Sequence, residues 1–221
     1  MNLDTRSNFH NAVEDLQNEL LGMGKLVEQQ ISRAVKALAL LDESLAKQII
    51  GDDDRIDEKM LEIEEACLKL IALQQPMAVD LRTIGMAMKI SIDLERIADH
   101  AVDIAKVAAR LSGEELVKPL EIIPQMAELV REMLRESLAA YTERSIHRAA
   151  ALAEKDDEVD KLYSAVMNEI IGLMGEEFAR NRQLTQLMLA AHFLERVGDH
   201  ATNIGEGVIY MVTGKRKDLN I

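Results

Sequence analysis

The segment DLERIADHAVDIA that begins at Asp93 returns as FLERVGDHATNIG from Phe193. Leu94/Leu194, Glu95/Glu195, Arg96/Arg196, Asp99/Asp199, His100/His200, Ala101/Ala201 and Ile104/Ile204 are identical pairs at a constant offset of 100 residues. Self-similarity at one fixed offset means a single supersecondary unit used twice, and that restricts the fold more than any other feature of the chain. The retained residues are mostly polar. Packing alone requires only apolar character at core positions, so a Glu-Arg-Asp-His set kept in both copies calls for a chemical role.

Both copies read as helix. Apolar residues in the first follow alternating three- and four-residue steps at Ala87, Ile90, Leu94, Ile97, Ala101, Ile104, Ala108 and Leu111. The second repeats the stripe at Leu187, Ala190, Leu194, Val197, Ala201, Ile204, Val208 and Met211. With 12 Met, 3% aromatics and no Trp, the core is one of Leu, Ile, Ala and Met, as helical bundles use. The 3 prolines leave room for long helices. Punctuation predicts six of them: 5–41, 44–75, 80–112, 119–142, 145–178 and 181–212. The marks are Asp42-Glu43-Ser44, Pro76, a capping Asp80, Gly113, Pro119 and Gly214. The expected fold is all-α, two tandem antiparallel three-helix bundles covering residues 1–113 and 114–221.

A second repeat carries acids. DDRID at Asp53–Asp57 matches DDEVD at Asp156–Asp160, at an offset of 103. Each second helix thus bears two acids four residues apart, Asp53/Asp57 and Asp156/Asp160. Each third helix bears Glu95/Asp99 or Glu195/Asp199, continued by Asp103 or Asn203. Four-residue spacing stacks side chains on one helix face. In an antiparallel hairpin, residues at one height have position numbers with a constant sum. The pairs Asp57/Asp99 and Asp53/Asp103 share one such sum and place the turn at 78, just past Pro76. Asp160/Asp199 and Asp156/Asn203 share another and place it beside Arg180. Carboxylates gathered in this way repel unless a cation lies among them. Oxygen ligands suit Mg²⁺, Ca²⁺ or Mn²⁺, or iron and zinc with bridging carboxylates. The competing reading is an ordinary solvated acidic face, because these residues lie away from the apolar stripe. Under either reading the acids are expected at the surface.

Other candidates carry less. His100 and His200 neighbour the acids as ligands, as hydrogen-bond donors to a ligand, or as structural or partner-facing groups. Arg96 and Arg196 are placed to neutralise nearby carboxylates. His10, His147 and His192 have no repeat partner and no ligand spacing. No Gly-rich phosphate loop, HExxH or Ser/His/Asp pattern is present, so no catalytic residue is assigned. A net charge of −13 argues against nucleic acid and anionic lipid as partners. Cys67 stands alone, which excludes a disulfide framework and fits a reducing compartment. With no apolar leader and no 18-residue apolar run, a cytoplasmic protein is expected.

These motifs resemble the PhoU family of bacterial phosphate-transport regulators. LERIADHAVDIA and LERVGDHATNIG are similar to its duplicated helix signature. GDDDRID and EKDDEVD are similar to its acidic second-helix motif, and ALQQPMAVDLR (Ala72–Arg82) to the lead-in to its third helix. The likeness spans about residues 5–213. It implies two three-helix bundles and a non-enzymatic negative regulator of phosphate uptake. It further implies a cytoplasmic adaptor between the transporter ATPase and the sensor histidine kinase, recruited to the inner face of the membrane through those partners. In some members multinuclear iron or zinc clusters are held by the E/D-x-x-x-D motifs. Carried over, Asp53, Asp57, Glu95, Asp99 and Asp103 form one site, and Asp156, Asp160, Glu195, Asp199 and Asn203 a weaker second one. The long amphipathic helices also lead us to expect a homodimer.

Two further classes stand beside this reading. A di-iron carboxylate enzyme would need Glu-x-x-His pairs, and no histidine here has a Glu three residues before it. A purely structural helical spacer leaves the duplicated polar motif unexplained.

Overall fold

A computed structural model describes residues 3–176 and 178–219, with side chains from Phe9 onward. The helices are α1 (Leu3–Leu40), α2 (Glu43–Gly51), α3 (Asp54–Gln74), α4 (Val79–Arg110), α5 (Ile122–Glu143), α6 (Ile146–Glu176) and α7 (Asn181–Thr213). A 3-10 turn at Phe178–Arg180 leads into α7. They make six helical rods, the second interrupted between α2 and α3, and no strand occurs among the described residues. The interruption departs from the continuous second helix expected at 44–75. It falls at Asp52-Asp53, directly after Gly51, where Arg33 holds the Asp52 carboxylate at 2.9 Å. Glycine is a poor helix interior residue, and Asp competes for backbone donors.

Helix ends follow local chemistry. Asp42 caps α2 by accepting the Leu45 N–H at 3.0 Å. Gln75 adopts a left-handed φ of 47° ahead of Pro76, which cannot continue the helix. Gly113 and Gly214, with φ of 79° and 70°, turn the chain after α4 and α7, where a side chain would be strained. Asp80 lies in the first turn of α4 and not at its cap, which is Ala78. The fourth rod starts at Ile122, later than Pro119, because residues 111–121 form the connection between the halves.

α1, α2/α3 and α4 form one bundle, and α5, α6 and α7 the other; they meet along α4–α7 and α1–α5. Every member of both apolar stripes is buried. Met23 and Met86 are buried, while Met60 and Met88 pack against the core. α4 and α7 are antiparallel and related by an approximate two-fold axis: Arg82 at the start of α4 donates to Met211 O near the end of α7, at 2.9 Å. Its counterpart Arg182 reaches Arg110 O at the end of α4. No described helix is long and apolar enough to cross a membrane.

Candidate functional site

In the first half α2/α3 closes over one flank of α4, so the acids there are half-buried and not freely solvated. The Glu95 side chain is 16% exposed and that of Asp99 39%. Burial pushes the Asp53 carboxyl upward, and Asp99 and then Asp57 add to the shift. Glu95 is raised by burial, then by Asp99, with Arg96 opposing and Asp57 and Asp53 contributing. Asp53, Asp57, Glu95 and Asp99 therefore share one electrostatic neighbourhood across the second and third rods, with Asp53 facing Asp99 where the height count pairs it with Asp103. Two cations answer it. Arg96 reaches Asp99 at 3.0 Å and Glu95 at 3.3 Å, and Lys106 holds Asp103 at 2.9 Å. Asp103 is thus drawn to its own helix, and the charged α4 groups felt by Asp53 are Asp99 and Lys106.

The second half repeats the arrangement with deeper burial. Asp156 is 9% exposed and carries its Oδ1 3.2 Å from the Thr202 hydroxyl, which donates to it. It leans across α7 where Gly198 leaves room: a Cβ there would sit 3.4 Å from Asp156 Oδ1. The expected neighbour at that height was Asn203; the contact made is with Thr202, one residue away, since the Gly198 notch pulls the carboxylate toward the core. Burial lifts Asp156 to about 6, with Asp199 and Asp160 adding to the rise against the Thr202 hydrogen bond. Glu195 is raised by burial and then by Asp199, and Asp160 by burial and Asp199. Arg196 pairs with Asp199 at 2.7 Å. The buried Oε2 of Glu195 has no hydrogen-bond partner, with His192 Nδ1 3.4 Å away. His192 therefore belongs to this acidic neighbourhood, although no ligand spacing marked it.

Each half thus brings four acids within electrostatic reach of one another. Among the described residues, no group of three or more His, Cys, Asp or Glu side chains stands already arranged to hold a metal ion. The intrahelical pairs with Arg96, Lys106 and Arg196 occupy Asp99, Asp103 and Asp199 instead.

The duplicated histidines face each other across the α4–α7 junction, with ring centroids 5.7 Å apart. The junction breaks the two-fold relation. His200 Nδ1 is hydrogen-bonded to buried Asp93 at 3.0 Å, whereas His100 stacks on Phe193, the counterpart of Asp93, at 5.8 Å. Burial, then His200, pushes His100 down to about 4, so it is neutral near pH 7. Asp93 escaped the sequence reading. The available signal was a charged residue set against an aromatic one, Asp93 against Phe193, in otherwise similar segments.

The comparisons with known proteins agree with this duplication. The PhoU domain model matches twice, over residues 20–108 and 123–208. The chain belongs to the PhoU family. It is 45% identical over 217 residues to the phosphate-specific transport system accessory protein PhoU homolog of Clostridium acetobutylicum, covering 98% of this chain and 99% of that one. The homolog of the same name from Streptococcus pneumoniae is 37% identical, covering 97% of this chain and 100% of that one. Among solved structures, Pseudomonas aeruginosa PhoU superposes with a TM-score of 0.87 at 36% identity, covering 94% of this chain and 100% of that one. The phosphate transport system regulatory protein PhoU from Streptococcus pneumoniae gives the same TM-score of 0.87 at 35% identity, covering 95% of this chain and 99% of that one. The family is one of transport accessory proteins and not of enzymes.

Proposed function

We propose that this protein is a cytoplasmic negative regulator of phosphate uptake that works by binding other proteins. Its partners are the ATPase of the phosphate transporter and the sensor histidine kinase, and they bring it to the inner face of the membrane. The observation that carries the reading is the end-to-end match to accessory proteins of phosphate transport, over 98% of this chain and 99% of the relative. Residues 1–113 and 114–221 serve as its two bundle domains. A pull-down from phosphate-rich cells tests it: both partners are expected with the tagged chain, and recovery of neither contradicts the adaptor role.

We further propose that the two acidic neighbourhoods bind iron or zinc, with manganese or magnesium as alternatives. The first is held by Asp53, Asp57, Glu95, Asp99 and Asp103, the second by Asp156, Asp160, Glu195, Asp199 and Asn203. The support is the shared upward push on Asp53, Glu95, Asp156 and Glu195 and the orphaned Glu195 oxygen, which a cation would satisfy. A bound cation neutralises the acids and ties the second rod of each bundle to the third. Arg96, Lys106 and Arg196 would release their carboxylates as it enters. Asp99→Ala and Asp199→Ala are each expected to lose about half the bound metal and the matching rise in melting temperature. Full metal content in both variants would leave an ordinary acidic face.

Self-association is the third element of the proposal. Leu61 and Leu68, seven residues apart, are exposed on one face of α3 and offer apolar contact to a second copy. Sedimentation at micromolar concentration is expected to show dimer; monomer alone contradicts this part.

A further inference from the structure

The two-fold relation between α4 and α7 fails at their ends, and the failure leaves a cationic cleft on an acidic protein. Where α7 starts, Arg182 forms an ion pair with Glu114, and Gln183 donates to the same carboxylate at 3.0 Å. Arg110 is hydrogen-bonded to Gln186 at 3.2 Å. That end is electrostatically closed. At the other end the counterpart of Glu114 is Gly214, that of Arg110 is Tyr210 and that of Gln186 is Met86. Arg82, the counterpart of Arg182, keeps its backbone contact to Met211 O, and among the described residues no carboxylate pairs with it.

The chain after α7 then adds charge to this open end. Gly214, at φ 70°, reverses the backbone, and the Leu219 N–H is fixed to Glu206 Oε1 at 2.8 Å. The intervening segment places Arg216 and Lys217 beside Arg82 and Lys89, around a cleft of about 500 Å³. Among the described residues, none of these four cations lies within ion-pair distance of a carboxylate, and of the two acids in the lining Glu206 is engaged by Leu219. The floor is apolar, made where Met86 seats against Gly207, and the half-exposed Tyr210 ring forms one wall.

Four cations outnumber the two acids of the lining, Glu206 and Asp218, so the cleft keeps a local excess of positive charge that an anion relieves. Arg and Lys donors arranged about a cleft suit phosphate oxygens. A volume of about 500 Å³ is of the order of small-molecule sites and holds more than a single phosphate. We propose that this cleft binds a small phosphorylated anion, with Lys89, Arg216 and Lys217 contacting its phosphate oxygens and Arg82 fixing the rim. The site spans both bundles, so occupancy ties the start of α4 to the end of α7. It is a different surface from the acidic neighbourhoods and does not depend on the metal proposal.

Calorimetric titration of the full chain in EDTA with inorganic phosphate, pyrophosphate and ATP in turn tests this, EDTA removing metal-mediated phosphate binding. Saturable binding of at least one is expected, and the one bound most tightly identifies the source of the phosphate. The double variant Arg216→Ala/Lys217→Ala, beyond the last helix, is expected to bind roughly tenfold more weakly or worse at unchanged melting temperature. Lys89→Ala should weaken binding in the same direction from a different element. Lys25→Ala/Lys36→Ala, which removes two exposed lysines from α1, should leave binding intact. No saturable binding of any of the three anions overturns the proposal. So does binding that survives the Arg216/Lys217 change, or that falls equally with the Lys25/Lys36 change.

Discussion

Asp156 shows how a single carboxyl can oppose the stability of the fold that positions it. Its folded-state value of about 6 lies above the roughly 3.9 of an unfolded Asp. Between those values the folded state holds more protons than the unfolded one. The stability contributed by the protonated group is therefore complete below the lower value and declines as pH rises to the upper one. In EDTA, melting temperature against pH should fall more steeply between about pH 4 and 6 for the wild type than for Asp156→Asn, which cannot ionise and can still accept from Thr202. The variant should be the more stable at pH 7. Parallel curves would mean that Asp156 ionises freely. Cys67 gives a second check at this scale. Burial, then Glu64, pushes its thiol up to about 12, so the nucleophilic thiolate is scarce and enclosed. Native protein is expected to resist a thiol reagent that labels it fully in denaturant; rapid labelling without denaturant would show that the α3–α4 contact opens readily.

At the scale of elements, stability rests on how closely the helices approach, and small residues set that distance. A Cβ on Gly205 of α7 would lie 2.6 Å from Leu152 Cδ1 and 3.2 Å from the backbone oxygen of Ala149 on α6. Gly205→Val is expected to cost about 1–3 kcal/mol by forcing α6 and α7 apart. Gly172, exposed on α6, meets nothing within 4 Å, so Gly172→Ala should stabilise by roughly 0.5–1 kcal/mol through helix propensity. Chemical denaturation of both measures the contrast, and a shift of the same sign in both would contradict the packing. The rods themselves were legible in the sequence because the stripes on α4 and α7 and the stops at Pro76, Gly113 and Gly214 are local signals. The break at Asp52-Asp53 was marked only weakly, by Gly51 and three successive acids, signals that a helix can also tolerate. The gathering of acids in each half was legible from spacing. Their depth was not, because it depends on which small residue, Gly198 opposite Asp156, lies across the gap.

For the whole molecule, the informative features are the departures from its own two-fold relation. Asp93 pairs with His200 where Phe193 meets His100, and Glu114 neutralises Arg182 where Gly214 stands in the place of Glu114 opposite Arg82. Unequal halves are what the proposed engagement of two unlike partners would use. None of this contact between halves was legible locally, because it arises from pairing residues far apart in the chain, 68 positions for Arg182 and Glu114 and 107 for His200 and Asp93. The central claim is that the chain restrains phosphate uptake without chemistry of its own. Expression of phosphate-starvation genes at high phosphate, in cells lacking this gene and in the same cells with it restored, measures that most directly. Loss of the gene should switch those genes on despite abundant phosphate, and its return should silence them. Expression that stays low in the deletion strain would contradict the account.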